Sequence, residues 1–164
     1  MSDKRSSYID TAELQWITLE TEADTPPWIA RDDLAAFFNV NLHPYEDRIE
    51  DIQKGLDYAF SSSEGKGGFV LLAVQNERIL GGLVMLNTGM EGYVPGHLLL
   101  FVGVLPEFRG KGIGRLAIER ALMRVKGDVK LHVEYDNPAK RLYERIGFEN
   151  KYAEMRLHRG KGNP

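Results

Sequence analysis

The chain has 164 residues, 43% of them hydrophobic, with a formal net charge of −3 and no cysteine, which suits one domain (1–164) around one core and excludes disulfides and thiolate metal sites. No apolar run approaches the ~20 residues of a membrane helix, and no stripe of basic and aromatic residues suits nucleic acid, so neither membrane nor nucleic acid is an expected partner. The opening MSDKRSSYIDTAEL lacks an apolar signal core, so a cytoplasmic location is expected, and His43, His97, His132 and His158 lie too far apart in sequence to suggest a metal site.

Residues 13–20 (ELQWITLE) alternate weakly and predict a first strand, closed by Pro26 and Pro27. Helices are predicted at 31–40 and 45–60. In the second, positions 49, 52, 56, 59 and 60 share one apolar face. After a break at 65–68, residues 69–74 and 78–86 predict a hairpin turning through Gln75, Asn76 and Glu77. A turn at 89–96 precedes an apolar run, LLLFVGV at 98–104, which is too short for a helix and reads as a fully buried strand. A helix at 112–126, a strand at 129–135, a helix at 138–146 and an alternating strand at 153–158 complete the order. The expected class is α/β with a mixed sheet, mostly antiparallel and containing one βαβ crossover.

The junction of the buried strand and the next helix is the most informative segment: VLPEFRGKGIG at 104–114. Without Cβ atoms at Gly110, Gly112 and Gly114, the backbone can curl and present successive N–H groups beside a helix N-terminus, a combination that favours phosphate oxygens. One reading is a dinucleotide fingerprint, since GIGRLA at 112–117 satisfies G-x-G-x-x-G/A and Glu134 stands about where a ribose-binding acid belongs. Seven residues separate Val104 from Gly112, however, and too little chain follows for a repeated βαβ sheet. Nicotinamide dinucleotide binding is therefore the minor alternative.

The stretch RGKGIG at 109–114 resembles the R/Q-x-x-G-x-G/A signature of the GNAT superfamily of acyl-CoA-dependent N-acyltransferases. VLPEFR at 104–109 looks like that family's approach to the turn, and DNPAKRLYERIGF at 136–148 looks like its second motif. Ile79, Leu80, Gly81 and Gly82 add a weaker match. The resemblance implies the GNAT fold, with a splayed strand pair, and acetyl-CoA as cofactor. Backbone groups of Val102 and Val104 would hold the pantetheine arm, Val102 N–H being the oxyanion donor. The pyrophosphate would rest on Arg109, Gly110, Lys111, Gly112, Ile113 and Gly114, with Asn137, or Asp136, in the second motif's asparagine role.

The same resemblance implies that Tyr143 protonates the departing thiolate. From the sequence alone Tyr143 also lies on an apolar helical face with Ala139, Leu142 and Ile146, where a tyrosine simply packs. For the base the residues leave several candidates. His132 ranks first and Glu134 second, because a strand at 129–135 would project both to one side. His43, Glu46 and Glu91 are loop candidates.

Charge divides unevenly: residues 20–64 hold 11 Asp or Glu against 3 Lys or Arg, and residues 105–164 hold 14 Lys or Arg against 8 Asp or Glu. A polyanionic cofactor suits the basic part and a cationic amine the acidic part. The acceptor is expected to be a small-molecule amine or a protein amino group, contacted by residues among Asn39, His43, Tyr45, Met90, Tyr93 and His158. Trp16 and Trp28 read as packing residues. The expected activity is N-acetyl transfer by direct attack in a ternary complex, from a monomer or homodimer. A non-catalytic acyl-CoA sensor or scaffold is the other alternative.

Overall fold

The structure is a computed structural model that describes residues 9–45 and 47–160. Its elements are β1 (Gln15–Leu19), α1 (Arg31–Asn41), α2 (Ile49–Ala59), β2 (Gly68–Gln75), β3 (Arg78–Asn87), β4 (His97–Val104), α3 (Ile113–Arg124), β5 (Val129–Leu131) and α4 (Ala139–Ile146). Five strands form one sheet in the order β1-β2-β3-β4-β5, antiparallel except for the parallel pair β4 and β5. The chain divides into two compact units, the first ending at Leu131 and the second beginning at His132.

In the first unit, β2 and β3 are buried along almost their whole length, as expected of strands covered on both faces. Asn76 (φ 50°) and Glu77 (φ 54°) make the two-residue turn between them, and this left-handed pair matches the twist of a tight hairpin. The largest cluster joins α1 and α2 to the sheet through Leu34, Phe38, Ile52, Leu56, Leu72, Val84 and Phe101. Phe38 is fully buried, edge-on to Phe37 at 5.4 Å and 6.1 Å from the Phe101 ring. Phe38→Ala should lower the unfolding free energy by about 3–5 kcal/mol, the usual loss for emptying a phenylalanine site, read as a lower urea midpoint at unchanged m.

A smaller cluster, Leu14, Ala73, Leu80 and Ile113, holds the start of α3. Here Gly81 matters by its size: a Cβ would lie 2.7 Å from Ile113 Cγ2, so a larger residue would push α3 off β3. At the other helical pair, Arg31 pins α1 to α2. It donates to Gln53 Oε1 (2.9 Å) and the Gln53 carbonyl (3.1 Å), and pairs with Asp57 (2.7 Å) and Glu22 (3.0 Å).

The second unit is built on α4. Gly147 (φ 121°) donates its N–H to the Tyr143 and Glu144 carbonyls, Phe148 N–H reaches Tyr143 O at 2.9 Å, and the two rings meet edge-on at 6.0 Å. A left-handed residue, a long backward hydrogen bond and an apolar clasp form a Schellman stop. The Tyr-x-x-x-Gly-Phe spacing at 143–148 is thus a helix terminator.

Three expectations need correction. The second helix starts at Ile49 and not at 45, with Arg48 in extended conformation before it and the Asp47 carbonyl accepting from Asn39 Nδ2 at 2.8 Å. The fifth strand ends at Leu131, four residues short of 135, so His132 and Glu134 are not on a strand and its alternation does not orient them. Residues 153–158 form no strand. Alternation fixes only which side chains would share a face, whereas a strand also needs a ladder partner, and here Met155 and Leu157 are 93% and 76% exposed.

Candidate active site

The site grows from the far end of β4. β5 pairs with β4 only from His97 to Leu99, so among the described residues Leu100 to Val104 continue without a ladder partner on that side. On the other side, Leu105 N–H donates to Leu80 O at 2.9 Å, and Gly103 stands opposite Gly82. Peptide groups alternate edges along a strand. Leu105 and Gly103 therefore direct theirs to β3, and Val102 and Val104 direct theirs to the edge that β5 has left. That edge offers the N–H and C=O of Val102 and the N–H of Val104, the two positions expected for the pantetheine arm, while the Val104 carbonyl already accepts from Arg109 Nε at 3.1 Å.

Beyond Val104 the chain makes a short turn at Pro106–Phe108 and then the glycine turn. Arg78 holds the short turn from the β2–β3 hairpin. Its guanidinium pairs with Glu107 and lies 5.7 Å over the Phe108 ring. The hydrogen bond from Arg78 holds the Glu107 carboxyl below its ordinary range. Gly110 (φ 73°) and Gly112 (φ 87°) are left-handed, and Gly112 is the N-cap of α3. A Cβ on either would meet nothing within 4 Å. Conformation, not crowding, thus demands glycine at both, and the space in front of the turn is open.

The N-cap residue of α3, Gly112, has no side chain with which to cap it. A helix start leaves its first N–H groups without intrahelical partners and carries partial positive charge. A left-handed turn with backbone donors and a glycine N-cap fits a pyrophosphate, and so fits coenzyme A. Ile113, in contrast, is buried with its side chain in the core, so only its backbone can serve the site. Lys111 is half-buried. Arg109 does not reach forward: its side chain donates to the carbonyls of Val104 (3.1 Å) and Asn41 (3.0 Å).

In the second unit, Asn137 Oδ1 accepts from Ala139 N–H at 2.9 Å and its Nδ2 donates to Glu134 Oε2 at 3.1 Å. Its amide thus starts α4 and holds Glu134 in place, a task of local structure. The Tyr143 phenol is pushed up to about 12, first by burial and then by the negative charge of Glu134. His132 is exposed.

Of the acceptor candidates, Asn39 turns inward to the α1–α2 loop, where Tyr45 is half-buried and His43 exposed. Met90 and Tyr93 are 55% and 82% exposed on the β3–β4 loop, with Glu91 exposed beside them. That loop is tied at its base by Thr88, whose hydroxyl donates to Pro95 O at 2.7 Å. His158 is exposed in the second unit, and Glu46 lies outside the described residues. Two residues that shape the turn carried no signal in the sequence: Arg78, and Asn41, which contributes a main-chain carbonyl that any residue possesses.

The sheet order, the parted β4 and β5 and the glycine turn are those of an acyl-CoA-dependent acyltransferase. The chain belongs to the acetyltransferase (GNAT) family, whose model matches residues 29–148. Among solved structures it is similar to a GNAT-family acetyltransferase from Streptococcus pneumoniae TIGR4, at 16% identity and TM-score 0.62, over 90% of this chain and 99% of that one. An aminoglycoside acetyltransferase from an uncultured soil metagenomic sample gives 16% identity and TM-score 0.60, again over 90% and 99%. An aminoglycoside N-acetyltransferase in complex with coenzyme A gives 11% and TM-score 0.62, over 90% and 95%. At these identities the likeness is one of fold. No curated protein matches the sequence.

Proposed function

We propose that the protein transfers an acetyl group from acetyl-CoA to the amino group of a cationic acceptor, by direct attack within a ternary complex and with all 164 residues acting as one domain. The observation that carries this reading is the glycine turn at the start of α3, which follows the β4 edge left without a β5 ladder partner and the short turn at Pro106–Phe108. Bound there, acetyl-CoA supplies an activated thioester.

The chain's own residues have three tasks. Backbone N–H groups of 110–114 bind the pyrophosphate by charge-assisted hydrogen bonds. The N–H of Val102 stabilises negative charge on the carbonyl oxygen as it develops. Tyr143 donates its phenolic hydrogen toward the departing sulfur. A phenol titrating near 12 stays protonated throughout the working range. Because it lies well above an ordinary thiol at about 8.5, it acts as a hydrogen-bond donor more than as a full acid. The nucleophile must be a neutral amine, and His132 and Glu134 are the proposed proton acceptors.

The acidic character of residues 20–64 supports a cationic acceptor, and the α1–α2 segment displays exposed Asp32, Asp33, Asp47 and Glu50. The named aminoglycoside acetyltransferases of similar fold act on such polycations. The deciding experiment follows thiol release from acetyl-CoA with polyamines, aminoglycosides, amino acids and N-terminal peptides. The cysteine-free chain adds no background thiol. Release dependent on one amine class establishes the reaction and its acceptor together. Coenzyme A binding without release for any amine would instead support a sensor.

A further inference from the structure

Arg109 immediately precedes the glycine turn in sequence, and its polar head is engaged on two main-chain carbonyls. Nε donates to Val104 O at 3.1 Å, and Nη2 donates to Asn41 O at 3.0 Å. Val104 ends β4, and Asn41, 68 positions before Arg109, ends α1. The Asn41 end of this link is itself fixed. Asn41 is 7% exposed, its Nδ2 donates back to Phe37 O at 2.8 Å, and its Cβ stands 3.5 Å from where a Cβ on Gly103 would lie.

A helix C-terminus carries unpaired carbonyls and partial negative charge, so a guanidinium there is favoured on both counts. Two nitrogens of one planar fork serve two acceptors on separate elements. A lysine ammonium, a single point on a flexible stem, cannot reproduce that geometry.

We infer that Arg109 is a positioning residue that ties the end of α1 to the end of β4, and so sets the glycine turn relative to the α1–α2 loop, instead of acting as a phosphate ligand. The inference rests on the acetyltransferase reading for what the two ends do: the turn takes the cofactor, and the α1–α2 loop takes part of the acceptor. Under that reading one side chain registers the two substrates' supports. Loss of Arg109 therefore weakens both substrates, through geometry and not through charge.

The experiment compares Arg109→Lys and Arg109→Gln with the unaltered protein. The first readout, hydrogen exchange of the free protein, needs no ligand. Both variants should exchange about tenfold faster at residues 39–45 and at 110–114, two segments far apart in sequence, with the β2–β3 hairpin unchanged. The second is coenzyme A affinity by calorimetry at two ionic strengths. Both variants should lose about tenfold and to the same extent, with the salt dependence of the unaltered protein retained. In turnover, KM should rise for acetyl-CoA and for the amine together.

A lysine variant with full affinity beside a glutamine variant that loses affinity and salt dependence would make Arg109 a phosphate ligand and overturn the inference. So would exchange that accelerates at 110–114 alone. If the unaltered protein fails to bind coenzyme A, the proposed function falls, while the exchange pattern still decides whether Arg109 joins the two elements.

Discussion

Gly112→Val should reduce coenzyme A affinity by about 100-fold or more while leaving the protein folded. The native φ of 87° lies where a β-branched residue is strongly disfavoured. The space around it is open, so no neighbour has to move. Strain at one such residue costs about 1–3 kcal/mol, which a chain of this size survives or relieves by turning the peptide. Turning it misdirects the N–H groups at the start of α3. Losing two charge-assisted hydrogen bonds at about 1.5–3 kcal/mol each gives the expected factor at 1.4 kcal/mol per decade. Calorimetric titration with coenzyme A measures it. Affinity within threefold of the unaltered protein would mean that the turn does not hold the cofactor.

Tyr143→Phe should lower kcat by about 100-fold or more at nearly constant coenzyme A affinity, the range expected when a positioned hydrogen-bond donor to developing charge is lost. The variant keeps the ring and its edge contact with Phe148, so a purely packing role predicts little change in rate. A linked effect appears in alkaline solution. Burial, and then Glu134, raise the phenol above its ordinary value of 10 to about 12. The folded state thus favours the protonated form, and that contribution is complete below about pH 10 and lost as pH rises toward 12. The unaltered protein should lose stability across this interval more steeply than the phenylalanine variant, as followed by denaturant midpoints.

The mixed sheet, the glycine turn and the order of elements from β1 to α4 are legible in the sequence because they depend on local chemistry. Buried strands show as apolar runs, as at 98–104, and left-handed positions show as glycines, as at 110 and 112. The sequence pattern carries the second helix back to Tyr45, four positions before Ile49 on the same face, yet the α1–α2 loop uses Asn39 to bind the Asp47 carbonyl and the helix begins at Ile49. The fifth strand is shorter than its pattern, since residues 132–135 alternate as a strand does but the β4–β5 ladder ends at Leu131. His132 and Glu134 lost their strand geometry with it. The second motif illustrates a different limit. The resemblance expects Asn137 to serve the cofactor, and what the sequence does not show is its local work: its amide accepts from Ala139 N–H at the start of α4 and donates to Glu134, and the Gly147-Phe148 pair ends the helix. Arg109's task was illegible, because both of its acceptors are main-chain atoms and one belongs to a helix 68 positions away.

The open surroundings of Gly110 and Gly112 have a stereochemical consequence. At φ 73° and 87° an L-residue is strained by its own backbone, whereas its mirror image occupies that region as comfortably as an L-residue occupies a right-handed helix. With nothing within 4 Å of an added Cβ on the L side, handedness of the backbone is the constraint the free turn imposes. A semisynthetic chain with D-alanine at 112 should keep a melting temperature equal to or above that of the glycine protein, through a less flexible unfolded state, while L-alanine lowers it. The turn is in this sense a demand for the wrong hand of amino acid, which glycine, having no hand, meets.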